Sequence, residues 1–341
     1  MMGNDLLEEI VSLLDSEDPQ RIKAAAAWLE QTLEGNGGSI NSAFMNVMKI
    51  AEKAFAYKLA LFEHASVQLE KDFNYLTKYL SCADGETQVQ TREPVIWWCW
   101  LQGLEAAPPI VKACYRSLKA LNRKVMVITG DNYGRYADVP DYIVEKWKAG
   151  IISNTHFSDI LRLELLTGRG GIWMDATVLV TGCSDADWLY NKKLFVFSHA
   201  MRGMESAYIK ASSWLIASDG SSRILRSTKK MLYSYWKEEN SQVSYFLFHL
   251  FFTMACMLHK EEWESCPAVS NVPPQMLQEE LMQPYTEERW KQLCRMSDFH
   301  KLSCKYVGTG TGGQFYDYIT GSIPCAADES VQKEGSSRAA E

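Results

Sequence analysis

The sequence predicts an α/β domain with a mostly parallel sheet, preceded by an all-helical N-terminal region. Three observations carry this. Residues 5–80 show apolar residues at helical spacing, beginning with Leu6, Leu7, Ile10, Val11 and Leu14. Past residue 93 the pattern becomes strand, helix, strand, then helix, strand, which is the rhythm of a parallel sheet with crossover helices. The candidate strands are rich in β-branched and aromatic residues and lack the polar alternation of a half-exposed sheet.

In the first region, Asp18 and Pro19 offer a helix cap and a first-turn proline. A helical stretch from Ala24 to Leu33 ends at Glu34-Gly-Asn-Gly-Gly38, and Ser42 to Tyr79 continues the pattern without a proline. These helices carry no evident chemistry. They are expected to act as a brace or to hold copies of the chain together as an oligomer. Residues 81–93 are polar and read as a linker, which sets the expected divisions at 1–88, 89–325 and a frayed polar tail at 326–341.

In the second region, Val95 to Leu101 reads as a buried strand and Val111 to Leu121 as a helix. Lys124 to Thr129 reads as a second strand, ending in the turn Gly130-Asp131-Asn132. Ser153 to Thr167 reads as a helix stopped by Gly168, Gly170 and Gly171. Ile172 to Val180 reads as a strand interrupted by Asp175. Ser213 to Ala217 is strand-like and leads into helices that run to about residue 260. In parallel sheets, ligands bind beyond the carboxyl ends of the strands.

Composition narrows the function. Of the 341 residues, 47% are hydrophobic and 23% charged, so the chain can bury a sizeable core. The formal net charge is −7, the wrong sign for a general nucleic-acid binder. The nine cysteines contain no C-x-x-C pair, so a structural zinc site is not expected, and reduced thiols suit a cytoplasmic location. The acidic start lacks the pattern of a secretory signal. The longest apolar run, Tyr245 to Leu258, has 14 residues. A spanning helix needs roughly 20. The run is expected to be a core helix; the other reading is an interfacial segment giving peripheral association with the inner face of a membrane.

The chemistry concentrates between residues 156 and 177. Asp159 and Arg162 are three apart on the expected helix and share a face. A surface ion pair is the plainest account of them. Asp175 is harder to explain, because a carboxylate inside an apolar strand is costly unless something pairs with it. Asp175 and Thr177 point to the same side of an extended chain and together offer two oxygens to one hard cation. His156, near the start of the helix, reads as a packing residue. The stretch Gly308-Thr-Gly-Thr-Gly-Gly313 lacks the Gly-Lys-Thr and the helix of a phosphate loop, and reads as a flexible turn.

Several segments in order resemble the capsular polysaccharide synthesis proteins, close to glycosyltransferase family 32. They are IWWCWLQG followed by APPIVKAC, then DNYGRYADVPDYI, then KAGIISNTHFSDILRLELLTGRGGIWMDATV. Later come YFLFHLFF, NVPPQMLQEEL and FHKLSCK. The likeness spans about residues 93–307. It implies a GT-A-like nucleotide-binding domain that moves a sugar from a nucleotide diphosphate, such as a UDP-sugar, to a glycan or lipid-linked acceptor. It implies retention of anomeric configuration and a divalent ion, manganese or else magnesium. Asp159 and Arg162 would hold the donor sugar and its phosphates. Asp175 stands at the first place of the family's Asp-x-Asp metal motif, with Thr177 at the second. Trp100, near Gln102, would stack on the base, with Trp97 and Trp98 left to the core. Asn132 would bond ribose or uracil, or else serve the turn by left-handed geometry. His300 would close the metal shell, and Lys301 and Lys305 would reach the diphosphate. The alternative is a non-catalytic relative that binds a sugar nucleotide or glycan as a scaffold of an assembly complex.

Overall fold

Ile96–Cys99 (β1) is four residues, all buried, and only an inner strand of a covered sheet permits that. The structure, a computed structural model, describes residues 27, 51, 65–83, 95–182, 189, 192–198, 208–305 and 312–322. Within them β1 lies between Val125–Ile128 (β2) and Gly171–Asp175 (β3), parallel to both. Ala211–Ser218 (β6) runs antiparallel to β3 and to Phe195–Ser198 (β5), and Val269–Ser270 (β7) pairs in parallel with β5. The strand order is β2-β1-β3-β6-β5-β7. Val178–Val180 (β4) leaves this sheet and forms a separate two-stranded ribbon with Phe299–Lys301 (β8).

The expected single strand from 172 to 180 is therefore two strands with a turn at Ala176 and Thr177. Asp175 is the last residue of β3, facing a cavity, and that position answers the problem of a carboxylate in an apolar strand.

Successive residues of a strand face opposite sides. On one side, Ile96, Trp98, Ile172 and Met174 pack with Ile110, Val111 and Cys114 of Pro109–Ser117 (α1), the helix expected from residue 111. Phe299 of the ribbon joins this core, with residues from Val272–Glu279 (α7), Glu287–Met296 (α8) and Phe315–Ser322 (α9). On the other side, Trp97 and Trp173 face the layer that holds Asp141–Lys148 (α2), Asn154–Gly168 (α3), Arg223–Glu238 (α4), Leu247–Leu258 (α5) and Lys260–Ser265 (α6). The result is a three-layer α/β arrangement, as the strand and helix rhythm predicts.

The link from α3 to β3 needs glycine. Gly171 has φ +102°, and a Cβ there would sit 2.5 Å from the Val95 carbonyl oxygen. No side chain fits, so the helix can return into the sheet directly beside β1 only through this residue.

Most of the run Tyr245 to Leu258 forms α5, Leu247–Leu258, and residues 247, 248 and 250–256 are buried. It is a core helix. Among the described residues, no helix is long and apolar enough to cross a membrane.

The chain divides into two compact units, Met1–Thr77 with Ala200–Lys210, and Lys78–His199 with Ala211–Glu341. In the first, residues 65–76 are helical. The helices expected at 6–14 and 24–33 (Ala27 apart), most of 42–79, the linker from 84 and the tail 326–341 lie outside the described residues. In the second unit, Tyr79 is buried and packs edge-on against Tyr235 at 5.6 Å and Phe251 at 5.9 Å. Its hydroxyl donates to Glu238 and Glu239. A division at residue 88 would take this side chain away from the unit that buries it. Tyr79→Ala should destabilise the protein by about 3 kcal/mol, as for other large aromatic truncations in a core. A urea-unfolding midpoint that does not move would show that Tyr79 is not part of this core.

Candidate active site

The register places the site. Cys99 of β1 lies opposite Asp175 of β3 and Ile128 of β2, so three parallel strands end at one level. Just past this edge is a cavity of about 240 Å³ lined by Trp100, Gln102, Asn154, Thr155, Ser158, Trp173, Asp175 and Thr177, among others. This is where an open α/β sheet binds its ligand.

Helix α3 brings the charged residues to it. Ser153 caps the helix by accepting from the His156 N–H at 3.1 Å. Asp159 and Arg162 lie one turn apart and are hydrogen-bonded, as their spacing predicts. They are not a surface pair. Arg162 is 2% exposed, and its second guanidinium nitrogen donates to Asp175 Oδ1 at 2.9 Å. The guanidinium also lies 4.9 Å from the Trp173 ring and 5.4 Å from the Phe248 ring. A buried cation between two carboxylates and two aromatic faces has its charge met on each of these sides.

Asp159 has a second partner. Trp236 Nε1 can only donate, and it reaches His156 Nε2 at 2.9 Å. The imidazole proton therefore sits on Nδ1, which lies 3.4 Å from Asp159 Oδ2. Burial alone would raise the Asp159 carboxyl, but Arg162 and then His156 outweigh it and hold the group below its usual value.

Asp175 Oδ1 accepts from both Arg162 and the Trp173 indole, each at 2.9 Å. Asp175 Oδ2 faces the Lys301 ammonium at 3.5 Å, and Lys301 also donates to the Thr177 hydroxyl. Lys301 is thus brought into the group from β8, which pairs Lys301 with Val178.

His300, its neighbour, faces the other way. Its ring is fully buried, Nε2 lies 3.0 Å from the Thr181 hydroxyl, and burial lowers its pKa to about 4. The expectation that His300 closes a metal shell with Asp175 and Thr177 is corrected here, because strand alternation sends the two side chains to opposite sides. Lys305 is exposed, and its side chain does not line the cavity, whereas Cys304 does.

Trp100 and Gln102 both line the cavity, while Trp97 and Trp98 are buried in the core. Asn132 has right-handed backbone angles rather than the left-handed geometry considered for it. Its side chain accepts from the Thr129 N–H and donates to the Val127 carbonyl, both at 2.9 Å, so it latches the end of β2. Asn154, Thr155 and Ser158 are lining residues that sequence reasoning does not single out. Their signal is nonetheless available as polar residues in the first turns of a capped helix, where exposed N–H groups and hydroxyls meet at a helix N-terminus. The Cys99 thiol is pushed up to about 12 by burial and then by Asp175, so it stays protonated and offers no thiolate nucleophile.

Asp175 Oδ2 and Thr177 Oγ1 are the two oxygens that a divalent cation would find. Among the described residues, no group of three or more His, Cys, Asp and Glu side chains is assembled to hold one. Hard cations such as magnesium take one or two protein oxygens and fill the remaining positions with phosphate and water. The donor set therefore fits an ion that arrives with a diphosphate and does not fit an ion caged by protein alone.

The sequence pattern of the capsular polysaccharide synthesis proteins matches residues 49–319. The chain belongs to the capsular polysaccharide synthesis family. The match begins inside the N-terminal helical region, earlier than the motifs from residue 93 suggest. No curated protein matches the chain. Among solved structures, the PaToxG glycosyltransferase aligns with 14% identity and a TM-score of 0.34, over 70% of this chain and 95% of that one. Asp175 is the last residue of β3, and Thr177 lies in the turn after it.

Two outcomes are expected from the burial of Arg162. Arg162→Leu should cost about 3–5 kcal/mol, because it leaves Asp159 and Asp175 without their shared partner. The change reads out as a shift in denaturation midpoint. A cost under about 1 kcal/mol would mean that the triad behaves as an exposed pair. The depressed Asp159 carboxyl adds stability above its unfolded-state pKa of about 3.9, and that stability is lost as pH falls through the lower folded value. The acid limb of the stability curve should therefore be shallower in Asp159→Asn than in the parent protein.

Proposed function

We propose that the chain is a glycosyltransferase that moves a sugar from a nucleotide diphosphate donor, a UDP-sugar in the first instance, to a glycan or lipid-linked acceptor. One observation carries this reading. A carboxylate at the carboxyl end of a central parallel strand, Asp175, is held by a buried arginine and opens into a cavity beside Trp100 and Gln102. Membership of the capsular polysaccharide synthesis family supports the same reading.

Each lining group has a task. The Trp100 ring offers a face to the base; stacking of this kind is worth about 1–3 kcal/mol in single-strand binders. Asn154, Thr155 and Ser158 present hydroxyl and amide groups to a sugar. Asp175 and Thr177 are the oxygens for a manganese or magnesium ion carried in by the diphosphate, and the ion would offset the charge of the leaving group. Arg162 positions Asp175 through a hydrogen bond; being buried, it does not itself face the donor. Transfer with retention, work on the inner side of the membrane and self-association through the N-terminal helices complete the proposal.

A non-catalytic sugar-nucleotide scaffold is the second reading. It is favoured by the full engagement of the Asp175 carboxylate, with Arg162 and Trp173 on one oxygen and Lys301 facing the other. Incubation with UDP- and GDP-sugars and manganese, then measurement of free nucleotide diphosphate, separates the two. The transferase should release nucleotide from one donor above all, whereas binding without release from any donor would favour the scaffold. Asp175→Asn keeps an oxygen for Arg162 and Trp173 but removes the charge. It should lower release at least about a hundredfold, the usual loss for one preorganised electrostatic group. Its melting temperature should fall by less than that of Arg162→Leu, because Arg162 keeps the Asp159 charge and an oxygen at position 175. Normal turnover in Asp175→Asn would remove Asp175 from the site.

A further inference from the structure

We propose that Lys301 is a built-in counter-cation: its ammonium occupies the place of a divalent ion at Asp175 and Thr177, and the two compete for these oxygens. The inference rests on the reading of this cavity as a diphosphate-donor site, but its central claim concerns the cation position alone.

Three contacts define the ammonium position. It donates to the Thr177 hydroxyl, lies 3.5 Å from Asp175 Oδ2 and reaches the Leu302 carbonyl oxygen at 3.3 Å. A hydroxyl, a carboxylate and a carbonyl are the oxygen types that a hard cation collects. The Lys301 backbone is held in place, since it pairs with Val178 and the next N–H, of Leu302, donates to the Thr177 carbonyl at 2.9 Å. Both side chains of the pair are about a quarter exposed, Lys301 at 27% and Asp175 at 25%, so the contact lies at the cavity wall, where an ion can reach it.

An ammonium and a divalent ion cannot share Asp175 Oδ2 and Thr177 Oγ1. Their repulsion at this separation is large even in water-like surroundings. The ammonium sits on a flexible four-carbon stem, whereas Arg162 is locked by two carboxylates and two rings. When an ion binds, Lys301 is therefore the group that leaves. The phosphate oxygens of a bound nucleotide give it a new partner. Metal and nucleotide should then tighten each other's binding by the same factor, as linkage requires.

The test begins with manganese alone, titrated by electron paramagnetic resonance against the full chain. Lys301→Met should bind manganese at least about tenfold more tightly than the parent, the least that removal of one charge at this distance predicts. Lys301→Gln, which keeps a polar contact to Thr177 without the charge, should show the same gain and stands in if the methionine variant does not fold. Adding Asp175→Asn to either variant should abolish the gain. In the parent, UDP should tighten manganese binding at least about tenfold, and in Lys301→Met this coupling should shrink. An unchanged manganese affinity in both lysine variants would overturn the exchange. If UDP binds while the manganese affinity is unchanged, the exchange alone falls and the donor reading stands. If the lysine variants gain manganese affinity but no nucleotide diphosphate binds, the exchange stands and the donor reading falls.

Discussion

Arg162 organises the described part of the site. A guanidinium at 2% exposure is tolerable only because Asp159 and Asp175 meet its charge and Trp173 and Phe248 cover its faces. The same contacts join three elements at this point. Asp159 comes from a helix, Asp175 from the end of a sheet strand, and Phe248 from the apolar helix of the same layer. Removing the arginine would leave two carboxylates next to a dry core. The cost of that error is what makes the constellation rigid, and rigidity is what a site needs if its charges are to act without rearranging.

The sheet edge explains where the arrangement opens to solvent. Strands β1, β2 and β3 run in parallel and end at one register, so the segments after them all emerge at the same face. Trp100 and Gln102 come after the first strand, the Asn132 turn after the second, and Thr177 after the third. The first turns of α3 approach the same rim and add Asn154, Thr155 and Ser158. The crossover helix that carries Arg162 is the one whose beginning lines the cavity. One element thus both positions the carboxylate and contributes to the wall.

Much of this is legible in the sequence, for identifiable reasons. The strand VIWWCWL is too apolar to be anything but inner, and the spacing of Asp159 and Arg162 puts them on one helical face. The segment 172–180 reads as one continuous strand because its residues stay apolar through Val180. What turns the chain at Ala176 is a tertiary choice, the pairing of 178–180 with a segment more than a hundred residues later. No local signal announces such a partner. The burial of the Asp159 and Arg162 pair is hidden for the same reason, since the covering ring of Phe248 and the third charge, Asp175, are remote in sequence. For His300 the sequence reading is off by a single step of alternation. The segment Phe299-His-Lys does deliver a residue to the site, and it is the lysine, because the strand register against β4 sends position 301 toward Val178 and Thr177 and buries position 300. Spacing along a strand determines which neighbours share a side, but only the register determines which side faces the site.

The charges at the centre of the site are set by that register. Asp159 and Asp175 are matched by Arg162 and Lys301, so four formal charges sum to zero before any ligand arrives. The diphosphate of the proposed donor would bring extra negative charge into this balanced group. It therefore gains little from the pocket as it stands and more from any cation it brings. Arg162 has little freedom to respond, because two carboxylates and two rings hold it. Lys301 has that freedom, being partly exposed and attached by a flexible stem. Among the described residues the site thus contains one fixed positive charge, which maintains the architecture, and one movable charge, which could track the proposed ligand. That division would let a diphosphate be held firmly only while its cation is present and released when the cation leaves, without any change in the buried triad.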